Sequence, residues 1–331
     1  RLRRVDSLER AADRLAERVE FERFQQFLFD RQWRALREYA LAREVRIIGD
    51  VPIFVAYDSA DVWARRELFR LGADAEPEAV SGVPPDYFSG TGQRWGNPLY
   101  RWKAIREEGY SWWIERFRRT LSLVDIARID HFRGFESYWE IPADEETAIY
   151  GQWRKGPGAE LFRAVREALG VLPLIAEDLG LITEEVEALR DELGLPGMRV
   201  LQFGLGGGVE NPHHPRSFPE NSVAYTGTHD NDTALGWLRH EATSAERERL
   251  FSLVADPGGE INWEMLRLVH ASPARFAVVP VQDILGLGSS ARMNTPGSSE
   301  GNWAWRLEDG TLTEALQGRL LAITRASGRA P

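Results

Sequence analysis

Short apolar runs that end in acidic residues recur along this chain, and they constrain its fold more than any other feature. The runs at residues 45–49, 121–126, 172–176 and 222–228 lead into Asp50, Asp130, Glu177 and Asp230. Apolar runs of this length, separated by helical segments, are typical of buried parallel strands. Parallel α/β barrels carry their chemistry at the carboxyl ends of the strands. We therefore expect these four acids to lie at the catalytic ends of their strands.

The alternation of strand and helix predicts the fold class. We expect six strands, which end near Asp50, Asp130, Glu177, Phe203, His229 and Gln282. Helical spacing predicts helices over residues 1–44 and between the strands, and no linker interrupts the pattern, so residues 1–331 are expected to form one catalytic domain. A (β/α)₈ TIM-type barrel needs eight strands. The fold is therefore α/β, either without barrel closure or with the first two barrel strands missing from this sequence.

Composition narrows the possible partners. With 43% hydrophobic residues, 331 residues are enough for a large core, whereas the net charge of −10 argues against nucleic acid. There is no Cys, no apolar run long enough to span a bilayer and no secretory signal pattern, so we expect neither disulfides nor a membrane span. These features predict a cytoplasmic protein that acts on an uncharged or cationic small molecule.

Two strand ends carry the residues needed for glycosyl transfer, which requires one ionised and one protonated carboxyl group. Arg128 and Asp130 share a strand face, so the guanidinium favours an ionised Asp130. The apolar residues before Glu177 are expected to raise the pKa of that carboxyl, which suits a general acid. A salt bridge that merely caps the strand explains Arg128 and Asp130 equally well.

Three side chains near the later strand ends complete this hypothesis. Asp230, His131 and His229 would bind sugar hydroxyl groups, although ordinary strand-end packing remains the alternative for both histidines. Twelve Trp residues fit a sugar groove, yet most of them are expected to be core. Trp95 differs because it lies in the segment 72–97, which lacks periodicity and resembles a lid.

Other chemistries fit the sequence less well. A metal site of the kind that stabilises an enediolate also needs a Lys or His base, but the only lysines are Lys103 and Lys155, and Arg128 would compete for Asp130. The G-x-S-x-G match at 297–301 follows Pro296 rather than a strand, which argues against a nucleophilic serine. The residues therefore do not favour a metal site of this kind.

Six stretches in order resemble one known family. They are GDVPIFV at 49–55, YFSGTGQRWGNP at 87–98, RIDHFRG at 128–134, AEDLG at 176–180, GTHDN at 227–231 and RMNTPG at 292–297. The chain from about residue 29 onward closely resembles the 4-α-glucanotransferases (amylomaltases) of glycoside hydrolase family 77, in the α-amylase clan.

The resemblance implies a role for each matched residue. Asp130 matches the nucleophile, Glu177 the general acid/base and Asp230 the transition-state stabiliser. The positions that line the donor site are matched by Asp50, Arg128, His131 and His229. Those that cover the cleft are matched by Tyr87, Phe88, Gln93 and Trp95. The rim is matched by Asn294.

The resemblance also implies what the protein acts on. It implies a retaining transfer of α-1,4-glucan segments from maltooligosaccharides to glucose or α-glucan acceptors, without metal or organic cofactor. It favours the second fold alternative, an N-terminally incomplete barrel with strands three to eight. The remaining alternatives are an α-amylase-type hydrolase and an inactive α-glucan-binding fragment, and we expect the chain by itself to be poorly soluble or inactive.

Overall fold

The computed structural model describes residues 3–85, 89–298 and 300–330. Contacts between residues divide the chain into two compact units, Arg1–Leu195 and Pro196–Pro331. Each unit contains one parallel sheet covered by helices, so the predicted α/β class is confirmed.

Among its described residues, the first unit contains seven strands. They are β1 (Ile48–Pro52), β2 (Ala79–Val83), β3 (Gln93–Pro98), β4 (Ile126–Asp130), β5 (Ser137–Pro142), β6 (Gln152–Lys155) and β7 (Leu174–Ala176). Strands β1, β4 and β7 form a parallel sheet in the order β1-β4-β7, and the other four form an antiparallel sheet in the order β3-β2-β5-β6. The parallel sheet holds the predicted strand ends, and the antiparallel sheet was not predicted.

The described part of the same unit also contains seven α-helices. They are α1 (Val5–Arg14), α2 (Ala16–Leu41), α3 (Ala60–Ala64), α4 (Trp102–Glu107), α5 (Ser111–Leu123), α6 (Ala159–Leu169) and α7 (Glu184–Glu192). Helix α5 carries Trp112, Trp113 and Phe117 on its buried face, as its helical spacing requires. These rings pack with Tyr100, Phe135 and other aromatics into the main core of the unit.

Helix α2 contacts the rest of this unit through polar side chains rather than through a buried apolar stripe. The indole N–H of Trp33 donates to the carbonyl of Leu123 at 2.8 Å, and Arg37 pairs with Asp125 at 2.7 Å. Helix α2 has no buried residue, although Phe24 and Phe27 are among its large apolar side chains. Its apolar face therefore stays exposed to solvent.

In the second unit, residues 196–298 and 300–330 are described and form three strands and six α-helices. They are β8 (Gly197–Val200), β9 (Ser222–Tyr225) and β10 (Phe276–Val278), and α8 (Leu201–Gly204), α9 (Ala234–Gly236), α10 (Ser244–Leu253), α11 (Ile261–His270), α12 (Val281–Ile284) and α13 (Glu314–Ala326). The strands pair in parallel in the order β10-β9-β8. A capping box between Thr243 and Glu246 begins α10.

Two sequence predictions were wrong in detail. The segment 72–97, expected to lack regular structure, contributes β2 and most of β3 to the antiparallel sheet. The strand expected over 198–203 ends at Val200 and continues as α8, because a short buried apolar run fits a strand and a helix equally well. Within the described part of the chain, no helix has the length and apolar character of a membrane span.

Candidate active site

The pairing of β1, β4 and β7 brings three acids to one end of the first parallel sheet. Asp50 pairs with Arg128 and Pro52 with Asp130 across β1 and β4, while Ala176 of β7 pairs with Ile129. Glu177 directly follows Ala176. Asp130 and Glu177 therefore lie at the carboxyl ends of neighbouring parallel strands, and Asp50 lies two residues before the end of β1.

Arg128 connects two of these acids. One guanidinium nitrogen donates to Asp50 Oδ1 at 2.7 Å and the other to Asp130 Oδ1 at 3.0 Å. Burial opposes the charge of Arg128, but the carboxylates of Asp50, Asp130 and Glu177 outweigh it and raise the pKa of the guanidinium. The Arg128 side chain is 12% exposed, whereas that of Asp130 is 44% exposed. The contact with Arg128 therefore leaves Asp130 open to a ligand.

Glu177 is held in a very different environment. Its Oε2 accepts from the backbone N–H of His131 at 2.7 Å and its Oε1 from that of Leu179 at 2.8 Å. Burial raises the pKa of Glu177 to about 7; the charge of Asp130 adds to this rise, while Arg128 and the two N–H bonds oppose it. The expected rise in pKa is thus present, and its main cause is the expected one.

His131 adopts a left-handed backbone conformation, with φ at 55°, which is uncommon for a residue with a side chain. This turn follows β4 directly, and its N–H is the donor to Glu177. The imidazole is buried, packs edge-on against Trp95 at a centroid distance of 4.8 Å, and its Nε2 has no hydrogen-bond partner among the described residues. Burial, with Arg133 as a second cause, lowers the pKa of His131 to about 3, so the ring is neutral.

A cavity of about 580 Å³ opens beside these residues within the first unit. Asp130, His131, Trp95, Asn97 and Phe54 line it. Trp95 lies on β3, and its indole N–H donates to Gln93 at 3.2 Å. The structure thus brings Trp95 to the cavity that Asp130 lines, and Gln93 contacts Trp95. The predicted residues Tyr87 and Phe88 lie outside the described residues.

The predicted residues of the second unit also form a cluster. Asn294 donates from Nδ2 to Asp230 Oδ1 at 2.6 Å, and its backbone N–H donates to the carbonyl of His229 at 3.0 Å. His229 Nε2 lies 3.5 Å from Asp230 Oδ1, and its ring packs against Trp303. His229, Asp230 and Asn294 therefore form a single cluster after β9.

Sequence reasoning missed residues that support these clusters. Arg292 donates to the carbonyls of Asp230 and Asn294 at 2.7 and 2.8 Å, so it joins the two loops. Its position two residues before Asn294 was the sequence signal that could have indicated a role for Arg292. Asn97 and Phe54, which line the cavity, sit in the matched stretches but had no assigned role.

Asp283, near the predicted end of the last strand, is buried rather than placed at an open site. It accepts from Thr226 Oγ1 at 2.6 Å and from the N–H of Ala234 at 2.7 Å, and burial raises its pKa. It therefore supports the loop that carries Asp230. Among the residues that the structure describes, no group of three His, Asp or Glu side chains could hold a metal ion.

Comparison with known proteins gives a consistent result. The sequence profile of glycoside hydrolase family 77, described as 4-alpha-glucanotransferase, matches residues 1–313. A 4-alpha-glucanotransferase from Thermus thermophilus is 54% identical over 99% of this chain and 67% of its own length, and one from Synechocystis is 48% identical over 99% and 65%. The chain thus spans about two thirds of the length of these two relatives.

A solved structure agrees with this similarity. The amylomaltase from Streptococcus agalactiae, determined in complex with acarbose, superposes with a TM-score of 0.96 at 38% identity. The match covers all of this chain and 67% of that one.

Proposed function

The chain belongs to the 4-alpha-glucanotransferase family, glycoside hydrolase family 77, and we propose that it transfers α-1,4-glucan segments between maltooligosaccharides with retention of configuration. One observation carries the proposal. A solvent-open carboxylate bound by arginine, Asp130, and a buried carboxyl with a pKa near neutrality, Glu177, follow neighbouring parallel strands. Retaining glycosyl transfer requires this pair of properties.

In the first step, an Asp130 oxygen attacks the anomeric carbon of the donor sugar. The bond to the leaving glycosidic oxygen breaks, and Glu177 gives its proton to that oxygen. A pKa of about 7 keeps a large share of Glu177 protonated near neutral pH, so the acid is available when the donor binds. The products are a glucosyl ester on Asp130 and an ionised Glu177.

In the second step, Glu177 takes a proton from a hydroxyl of the acceptor glucan. That oxygen attacks the anomeric carbon, and the ester bond to Asp130 breaks. Arg128 binds Asp130 in both steps and stabilises the carboxylate as it leaves. Two inversions at the same carbon retain the configuration.

Transfer rather than hydrolysis requires that an acceptor hydroxyl reaches the ester before water does. We assign this selectivity to the loop from Tyr87 to Trp95 within the segment 72–97, with Tyr87, Phe88, Gln93 and Trp95 as the residues that cover the cleft. The edge-on contact of Trp95 with His131 supports the assignment, because it puts an aromatic ring of this segment against the residue next to the nucleophile.

The remaining roles rest on matched motifs together with local contacts. We assign transition-state stabilisation to Asp230, donor binding to Asp50, His131 and His229, and the rim to Asn294. The contact between Asn294 and Asp230 supports a fixed orientation of that carboxylate. No metal or cofactor takes part in the proposed steps.

Two statements about the whole molecule remain proposals. We propose that residues 1–331 form one catalytic domain comprising strands three to eight of a (β/α)₈ barrel. The six parallel strands of the two sheets support this count. A cytoplasmic location also stays a prediction, and fractionation of the native host would test it.

Incubation of the full-length protein with maltotriose tests the activity. A ladder of longer and shorter maltooligosaccharides together with free glucose is the result expected of a transferase. Shortening without any elongation would favour the α-amylase-type hydrolase, and binding of maltotriose without turnover would favour an α-glucan-binding protein.

A further inference from the structure

A second cavity in the first unit adjoins the candidate catalytic cavity. Its volume is about 470 Å³, and Ser59 lines both cavities. Just before Ser59, neighbouring residues line different cavities: Ala56 lines the catalytic cavity, and Tyr57 lines the second cavity. A ligand long enough to pass Ser59 would therefore contact both cavities.

The second cavity combines an apolar floor with a polar rim. Val62 and Leu71 are buried and form part of the floor, while Tyr57, Asp58 and Arg66 bring polar groups to the wall. One acid and one base line it, so the cavity carries no excess charge. This composition fits a neutral ligand with many hydroxyl groups better than it fits an anion.

Trp63 supplies a flat surface at the same cavity. Its side chain is 47% exposed, although it is large and apolar. The guanidinium of Arg3 lies 4.9 Å from the ring centre and donates to the carbonyl of Ala64, which restrains the plane of the indole. An exposed and oriented indole offers a stacking surface for the apolar face of a sugar ring.

Two further side chains supply hydrogen-bonding groups. The hydroxyl of Tyr57 donates toward the carbonyl of Ala75 and Glu76 Oε2, both at 2.9 Å, which fixes the phenol at the cavity wall. The Nε of Arg66 is buried and has no hydrogen-bond partner among the described residues. An unmet buried donor costs free energy.

From these observations we propose that the second cavity binds glucose residues of the same α-1,4-glucan that reacts at Asp130, with a sugar ring stacked on Trp63. The inference rests on the proposed glucan transfer and extends it to substrate length. Glucans that reach past Ser59 gain these contacts, whereas shorter glucans do not. The cavity therefore makes the protein prefer long substrates.

The test compares Trp63→Ala with Trp153→Ala in the full-length protein. Trp153 is a matched control because its side chain is similarly exposed, at 39%, and it lies on β6 outside both cavities. The measured quantity is the ratio of kcat/KM for maltoheptaose to kcat/KM for maltotriose. We expect Trp63→Ala to lower this ratio about tenfold and Trp63→Tyr to restore most of it. A ratio within twofold of the wild-type value in Trp63→Ala would overturn the inference.

A binding measurement separates this inference from the proposed reaction. Calorimetry with maltoheptaose is performed on Glu177→Gln and on Glu177→Gln/Trp63→Ala, so that no sugar is turned over. A Kd raised about tenfold by the second substitution supports the cavity even if the wild type produces no maltotriose ladder. Equal Kd values in the two variants contradict it even if the ladder forms.

Discussion

At the scale of single residues, the contrast between Asp130 and Glu177 comes from their immediate neighbours. Asp130 is half exposed and paired with a guanidinium, whereas Glu177 is 9% exposed and held by two backbone N–H groups. The N–H bonds keep the carboxyl group of Glu177 in one orientation. Burial and the nearby Asp130 favour its protonated form. These contrasting environments support the roles of nucleophile and acid that we propose for Asp130 and Glu177.

The first prediction concerns Glu177→Gln. The amide keeps the size of the side chain but has no acidic proton, so we expect turnover of maltotriose to fall about 10³-fold while the Kd for maltoheptaose stays within about threefold. Glu167→Gln, an identical change on the exposed face of α6, is the control and should retain full turnover. A Glu177→Gln enzyme within tenfold of the wild-type rate would remove this residue from its role.

The second prediction concerns stability as a function of pH. The pKa of Glu177 is raised from its usual 4.5 to about 7, so the folded state holds this proton more tightly than the unfolded state does. Stability from this group is therefore fully present below about pH 4.5 and is lost as pH rises to about 7, by up to about 3 kcal/mol.

Denaturation of the wild type and Glu177→Gln at a series of pH values measures this contribution. Between pH 4.5 and 7, we expect the free energy of unfolding to fall more steeply in the wild type than in the variant. Above about pH 8 the difference between the two proteins should be constant. Parallel curves across the whole range would show that the buried carboxyl does not titrate as proposed.

At the scale of elements, helix α7 forms a buried and an exposed ion pair, and the two pairs connect the helix to different elements. Arg190 of α7 pairs with Asp178 at the end of β7 at 2.5 Å, and both side chains are buried. Arg163 of α6 pairs with Glu192 of α7 at 3.0 Å in open solvent. The buried pair joins the helix to the strand that carries Glu177, whereas the exposed pair joins two helices at the surface.

The third prediction follows from this difference. Arg190→Ala removes the guanidinium that pairs with the buried Asp178 carboxylate, so we expect a loss of about 3–5 kcal/mol in the free energy of unfolding. Arg163→Ala removes the same side chain from the exposed pair and should cost less than about 1 kcal/mol. Urea denaturation of the two variants makes the comparison. Similar losses in both would mean that the pair with Asp178 is not a buried support of β7.

The elements also show what the sequence could and could not predict. Five of the six parallel strands were predicted because each is an apolar run that ends in polar residues, and Asp50, Asp130 and Glu177 followed from that pattern; the sixth, at 198–203, was predicted from an apolar run followed by glycines, and its end was misplaced. The antiparallel strands β2 and β5 were missed because they are largely buried on both faces, so their residues do not alternate between apolar and polar. The N–H of His131 that binds Glu177 was also missed, since it belongs to a left-handed turn at His131 that no local pattern indicated.

At the scale of the whole molecule, the apolar face of α2 exposes large hydrophobic side chains to water when the chain is isolated. Phe21, Phe24 and Phe27 recur every three residues on this helix, and each is at least half exposed. Grouped exposed aromatics of this kind mark a surface that is covered by another part of a protein or by another molecule. Within the described residues, α2 reaches the core only through side chains such as Trp33 and Arg37.

The fourth prediction is that residues 1–331, produced alone, self-associate through this face. We expect the weight-average mass in sedimentation experiments to rise with concentration, and Phe24→Glu/Phe27→Glu to reduce this rise because two charges replace two exposed rings. Gln25→Glu/Gln26→Glu adds the same charge to the same helix but leaves the phenylalanines in place, so it should self-associate nearly as strongly as the unchanged chain. If both double variants became equally monomeric, net charge rather than the apolar face would control association. If the unchanged chain stayed monomeric and transferred glucan at full rate, the exposed phenylalanines would neither cause self-association nor require a contact with another part of a protein, and the prediction would be wrong.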